Sequence, residues 1–211
     1  GIEGKEHITV SQKLYYNPNP NLSVLVYGSS FFMNTYDLIQ DMTFSQARDW
    51  TAGTKVTYHV KDWFSVTGSL HADFYDRFKR HERIDKRQKD YESSIYQPRL
   101  TVTSNYFNGH SLILGMEHTS DELTSDRFSG NANHDLKTRA LKETEYFLQD
   151  EWTINPRWMI SAGIRTNFSK AFGFMGMPKV AAKYSPDKHW SLRANYSMGY
   201  RSPSIKELFF N

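Results

Sequence analysis

Histidine is the first side chain to test for metal or acid–base chemistry, and this chain carries 8 of them. They are scattered. His59 and His71 fall on the polar side of alternating segments, without a partner at metal-ligand spacing. No H-x-x-x-H pair and no carboxylate cluster accompanies any histidine. Cysteine is absent, which removes disulfides, thiolate metal sites and a cysteine nucleophile. Serines are plentiful, yet no nucleophile elbow or triad order appears. The chain is therefore expected to be no enzyme and to hold neither a resident metal nor a cofactor. What remains is charge. Arg99, Arg165, Arg193 and Arg201 share one side of alternating segments with Glu117, Gln149 and Glu151. Unpaired charge is costly in a packed core, so these residues suit a hydrated surface. In the C-terminal run Tyr200-Arg201-Ser202-Pro203, Arg201 can pair with a carboxylate, and Pro203 lacks the N–H that a strand ladder needs. That run, with Glu207 and Leu208 behind it, reads as structural.

The elements that carry these residues alternate with period 2, which places successive side chains on opposite faces of a strand. Trp190, Leu192, Ala194, Tyr196, Met198 and Tyr200 fall on one face, with Ser191, Arg193, Asn195, Ser197 and Arg201 on the other. Trp158, Ile160, Ala162, Ile164 and Phe168 repeat the pattern, as do Phe64, Val66, Leu70, Ala72 and Phe74. This template predicts strands over residues 7–16, 22–34, 50–61, 63–77, 92–107, 110–123, 143–154, 157–169, 177–186 and 189–201. Tight turns are expected at Asn17–Pro20, Lys61-Asp62, Asn108-Gly109, Asn155-Pro156 and Asp187-Lys188, all turn-forming residues. Between them come longer polar stretches, Tyr36 to Asp49, Lys79 to Asp90 and Thr124 to Lys142. The predicted fold is all-β, an antiparallel up-and-down meander with neighbouring strands paired in sequence order.

Composition does not oppose a membrane. Of 211 residues, 23% are charged and 38% hydrophobic, with a mean hydropathy of -0.66. No segment approaches the roughly 18–20 apolar residues of a membrane helix. A barrel strand needs only every second residue to be apolar. Short connections at one end and long ones at the other are the asymmetry of outer-membrane barrels. Trp63, Trp152, Trp158 and Trp190 each stand beside a tight turn, as an interfacial girdle requires. Trp50, Tyr75, Tyr91 and Tyr200 are expected toward the opposite rim. The net charge of +3, with bases interleaved among acids, argues against a nucleic-acid partner. Gly1-Ile2-Glu3-Gly4 has neither a basic n-region nor an apolar core, so export has to be inferred from the rest.

Gly199-Tyr200-Arg201-Ser202-Pro203-Ser204-Ile205-Lys206-Glu207-Leu208-Phe209 resembles the G-[FY]-[RK]-A-P-x-[LI]-x-E-L-[FY] segment of TonB-dependent receptors, with Ser202 in place of the usual Ala. Phe147-Leu148-Gln149-Asp150-Glu151-Trp152 resembles that family's F-x-Q-D-E-W strand. Ala162-Gly163-Ile164-Arg165 resembles its G-[LI]-R, and Met177-Pro178-Lys179-Val180 its S-P-K-[LV]. These motifs cover residues 143–211; Leu114 to His118 is a looser match to L-x-x-G-x-E-Y.

The resemblance implies that residues 1–211 are a partial barrel domain, part of a transmembrane β-barrel of about 22 strands. A plug domain would close that barrel, and neither the plug nor the remaining strands would lie within this chain. It implies an outer-membrane location in a bacterial cell and a lipid bilayer around the barrel. It further implies uptake of a scarce small ligand (a ferric siderophore, haem or cobalamin) driven by the TonB complex through a TonB box before the plug. Tyr200 to Pro203 also resembles the FRAP box of haem receptors. His81 and His134, in polar connections, could then contact haem iron, although each also reads as a solvated loop residue. Two alternatives stand beside this reading: a SusC-like oligosaccharide uptake receptor, and a soluble β-rich binding or adhesion module. On the barrel reading, Arg at Leu192 is expected to cost roughly 2–4 kcal/mol near the midplane.

Overall fold

The computed structural model describes residues 3–37, 42–81, 84–128 and 135–210. Ten strands form a single sheet in strict sequence order, each antiparallel to the next. They are β1 (Glu3–Asn19), β2 (Leu22–Asp37), β3 (Met42–Lys61), β4 (Phe64–His81), β5 (Ile84–Ser104), β6 (His110–Ser125), β7 (Lys137–Asn155), β8 (Trp158–Ser169), β9 (Gly173–Tyr184) and β10 (Leu192–Ser197). One short helix follows, α1 (Ile205–Phe209). The sheet is open: β1 and β10 each pair on one side only.

Register sorts the side chains into two faces. The row Val102, Leu114, Leu148, Ile164 and Pro178 runs across five strands. The row Gly68, Leu100, Met116 and Tyr146 lies beside it. This apolar face is exposed along almost every strand. Pairing fixes the length of the band as well. In β4 the apolar alternation runs from Phe64 to Phe74, matching the roughly 9–11 residues that a tilted strand needs to cross a bilayer. Directly above it, on the same face, Lys89 bonds Asp76 at 2.7 Å and Glu92 at 3.1 Å. The strands continue past the hydrocarbon band into polar surroundings.

That continuation differs from the expectation of long polar loops. Met42 to Asp49, Lys79 to His81, Ile84 to Asp90 and Lys137 to Lys142 are strand, not loop. Hydrophobic alternation marks only the part of a strand that meets lipid. A ladder, once in register, needs no apolar side chains to go on where both faces meet water. The connection β8–β9 is also short, closing between Ser169 and Gly173.

The Trp placement follows the sequence reading. Trp63, Trp152, Trp158 and Trp190 sit at the tight-turn end, where Trp158 stacks on Tyr184 at 4.4 Å and Trp152 on His110 at 5.2 Å. Trp50 lies on the apolar face farther up, edge-on to Phe32 at 5.3 Å. Tyr75 and Tyr91 lie toward the far rim but on the polar face, edge-on to each other at 5.5 Å.

Close approach requires glycine at several positions, Gly109 and Gly115 among them. Gly109 closes the β5–β6 turn at φ 77°, and a Cβ there would stand 2.6 Å from the Thr153 carbonyl oxygen. A Cβ on Gly115 would collide with the Phe147 ring and stand 2.7 Å from the Leu100 carbonyl oxygen. Gly115→Ala should therefore displace the ring and destabilise the wall by about 1–3 kcal/mol, measured by urea unfolding in lipid vesicles; an unchanged midpoint would contradict the packing.

Depth decides the cost of a charge on the apolar face. Leu192 pairs with Tyr184, itself opposite Trp158, so it belongs to the aromatic edge and not to the midplane. Leu148 stands four residues from the girdle Trp152 and six from the polar Lys142, with Leu114 and Ile164 as neighbours. Leu148→Arg should cost about 2–4 kcal/mol and Leu192→Arg only about 0–1. The same unfolding assay on the closed barrel checks the order of the two.

Candidate functional site: the polar face and the strap across it

On the polar face several of the charges predicted there meet partners. Arg165 Nε lies 3.0 Å from Glu145 and Arg99 3.5 Å from Glu117. Both guanidinium groups also stack on one ring, Arg99 at 4.8 Å and Arg165 at 5.9 Å from the Phe147 centroid. Gly115 gives that ring its place. Lys179 donates to the Gln149 amide oxygen. Tyr200 closes this patch from the C-terminal side, forming a cleft of about 480 Å³ with Arg99, Gln149, Arg165 and Lys179. Farther toward β1, Tyr27 and His71 share a hydrogen bond of 3.0 Å, and Thr51 donates to Asp73 at 2.8 Å. Among the described residues no cluster of three or more His, Asp or Glu is placed to hold a metal ion.

The family-like C-terminal run does not continue β10 as the alternation predicts. Met198 N–H donates to the Pro178 carbonyl at 3.0 Å, and the ladder stops there. Proline has no N–H to return the bond, so the ladder ends at Met198, opposite Pro178 and five residues before Pro203. Tyr200 consequently leaves the apolar face and turns into the polar cleft. The chain from Met198 to Phe210 becomes a strap laid across the polar face. Asn167, 4% exposed on β8, donates its amide to Ser202 Oγ at 3.3 Å. Ile205, 2% exposed, fills a pocket with Tyr91, Leu123 and Phe128 from β5, β6 and the β6–β7 connection. Phe210 forms an isolated bridge with Phe128. This is the buried apolar cluster of the described residues, and it sits near the rim opposite the tight turns.

Local chemistry makes the strap's helix. Ser204 caps α1, its hydroxyl accepting from the Glu207 N–H at 3.3 Å while the Glu207 carboxylate accepts from the Ser204 N–H at 2.7 Å. That reciprocal box satisfies two N–H groups that a helix start leaves open. Arg201 reaches the same carboxylate at 2.6 Å. These bonds hold Glu207 below the ordinary carboxylate range, the Ser204 backbone N–H first and the Arg201 guanidinium next. Leu208 is partly exposed on the helix's outer side.

The same rim holds cations on rings. Lys206 stands 4.8 Å over Tyr91, and Arg139 lies 5.2 Å over Phe209 and 5.9 Å over Phe128. Arg77 grips Asp90 with two bonds, 2.8 and 3.1 Å. Asp90 is the extra residue of a bulge between Arg77 and Phe78 of the partner strand. Sequence reasoning missed Arg139, Lys206 and the Ile205 cluster. One signal was readable: Ser204-Ile205-Lys206-Glu207 is a capping-box spelling. The other half, Tyr91 with Leu123, comes from distant strands and has no local signature. Of the two histidines singled out above, His81 ends β4 opposite Ile84. His134 lies outside the described residues.

A wall with one apolar face of bilayer-crossing depth, and a charged face crossed by the chain's own strap, has the design of part of a membrane β-barrel domain. The chain belongs to the TonB-dependent receptor family, since the family model "TonB dependent receptor-like, beta-barrel" matches residues 7–211. Among curated proteins it is 24% identical over 156 residues to the iron-regulated outer membrane virulence protein of Vibrio cholerae, covering 71% of this chain and 22% of that protein. Among solved structures, it resembles a variant of the ferric enterobactin receptor of Pseudomonas aeruginosa in complex with enterobactin. There the TM-score is 0.83 at 13% identity, over 99% of this chain and 35% of that one. The siderophore receptor PirA of Acinetobacter baumannii gives a TM-score of 0.80 at 11% identity, over 96% and 34%. The chain thus spans about a fifth of the curated relative and a third of the solved receptors.

The sign of the Glu207 shift sets a pH dependence. A carboxyl lowered in the folded state stabilises the strap above its unfolded value, and that contribution is lost as pH falls through the lowered value. Protection of the amides over residues 204–210, measured relative to their intrinsic exchange rates, should therefore fall at acid pH, and Glu207→Gln should remove that fall. Ile205→Ala should release the strap at any pH, at a cost of about 2–5 kcal/mol to its cluster; unchanged exchange there would refute the anchoring.

Proposed function

We propose that this chain is a stretch of barrel wall from a bacterial outer-membrane receptor that imports a scarce iron complex, a ferric siderophore or haem, with cobalamin as the related cargo. The observation that carries the reading is the rim of the polar face. There Arg139 and Lys206 lie over aromatic rings, with no carboxylate bonded to either among the described residues. Cations beside rings suit a ligand that is both anionic and unsaturated, as iron chelates and haem are. The names of the relatives, an iron-regulated outer membrane protein and receptors for siderophores, support the same cargo class.

The open edges support the partial-domain reading. In lipid each unsatisfied backbone group costs several kcal/mol, so β1 and β10 need further strands to pair with. On this proposal residues 1–211 are one partial barrel domain. The plug, the TonB box that meets the TonB complex, and the remaining strands belong to the same longer protein. His81 and His134 are the proposed rim contacts if the cargo is haem. Tyr200, Arg201, Pro203, Glu207 and Leu208 hold the strap and do not bind cargo.

Uptake of radioactive iron supplied as a catecholate chelate, as haem or as the free ion tests the assignment in cells carrying the full-length protein. Uptake of a chelate that disappears when TonB is deleted, and falls about thirtyfold with Arg139→Ala plus Lys206→Ala at two contacts near 1 kcal/mol each, is expected. Uptake of an oligosaccharide instead, or TonB-independent entry, would overturn it.

A further inference from the structure

We propose that the outer, apolar face carries a binding site for the phosphate headgroup of a membrane lipid, in a notch where β7 outruns β8. The last pair between these strands is Glu143 with Ser169. Above it β7 continues from Lys142 to Lys137, paired to β6 alone. β8 turns away at once through Lys170 and Ala171. The gap is a cleft of about 750 Å³, lined by His118, Lys142, Thr144, Phe168 and Lys170.

Its chemistry is ordered along the membrane normal. Exposed Tyr146 and Phe168 meet edge-on at 6.0 Å, and Phe174 packs on Phe168 at 4.9 Å, so aromatic rings end the apolar band here. Immediately above stand Lys142 and Lys170, both exposed. Two other ammonium groups toward this rim are neutralised. Lys89 is held by Asp76 and Glu92, and Lys79 by Asp90. Among the described residues Lys142 and Lys170 form no ion pair. Thr144 and His118 bond each other at 2.8 Å at the base of the notch, leaving hydroxyl and ring as additional polar groups. The unpaired β8-side edge of β7 offers backbone N–H donors. Acyl chains on the apolar band, rings at the boundary and two free cations above it match a lipid whose headgroup carries an anionic phosphate. The inference rests on the wall spanning a bilayer and is independent of the cargo.

Native mass spectrometry of the full-length protein in detergent, titrated with dioleoyl phosphatidic acid, tests it. Retention of that lipid in preference to phosphatidylcholine is expected. Lys142→Gln and Lys170→Gln should each weaken retention about fivefold, the gain of one cation near an anionic membrane surface. Lys142→Arg with Lys170→Arg should restore it, which separates loss of charge from misfolding. Lys89→Gln should change nothing. Retention unaffected by the paired Gln variants, equal retention of phosphatidylcholine, or displacement by millimolar inorganic phosphate would overturn the lipid site. Because no uptake is read, failure of the iron-complex assignment would leave this result standing, and the converse also holds.

Discussion

Everything in this wall depends on the pairing of backbone N–H and C=O groups between neighbouring strands. In hydrocarbon there is no water to bond an open group, so a strand can cross only with a ladder on both sides. That requirement forces consecutive pairing from β1 to β10 and hairpin-length connections. It also leaves the side chains free to differ on the two faces. One face can be wholly apolar and the other charged, because neither is a packed core. The places where the ladder yields are then the places where something else happens. At Asp90 a bulge delivers a carboxylate to Arg77. At Pro178 a missing donor ends β10 and releases the strap. Above Ser169 the early end of β8 opens the notch beside Lys142.

The strap is the one part of the described structure that behaves like a globular protein. Its helix is too short to stand on propensity, since an isolated helix needs about 12–15 residues. A capping box, the Arg201–Glu207 pair and the burial of Ile205 hold it instead. The strap spans from β10 to the β5–β6 side, so it ties distant strands together on the polar face. It also brings Lys206 to Tyr91 and Phe209 under Arg139. Residues of the family-like run, Ile205 and Glu207 above all, therefore do the anchoring, while Lys206 and Arg139 beside them add charge to the rim. Arg99 and Arg165 are held differently, against carboxylates and over the Phe147 ring, which leaves them fixed parts of the polar face.

Much of this was legible in the residue order. Alternation around Leu70, Ile164 and Ala194 marked the strands, their antiparallel order and the face of the side chains within them, because a period of 2 places successive residues on opposite faces. The Trp residues beside tight turns determined which end is the girdle. The run from Gly199 to Phe209 determined the family. The register of the ladder is what carried Met42–Asp49 and Lys137–Lys142 on as strand, where the residue order shows no regular alternation. Tertiary structure alone decided that Tyr200 leaves the apolar face, that Ile205 meets Tyr91 and Leu123, and that Leu192 lies at the girdle and not at the midplane. Each of these depends on which residues of separate strands stand level with one another. Local patterning sets the face of a side chain, but its depth and its distant neighbours follow only from the register of strands far apart in the chain.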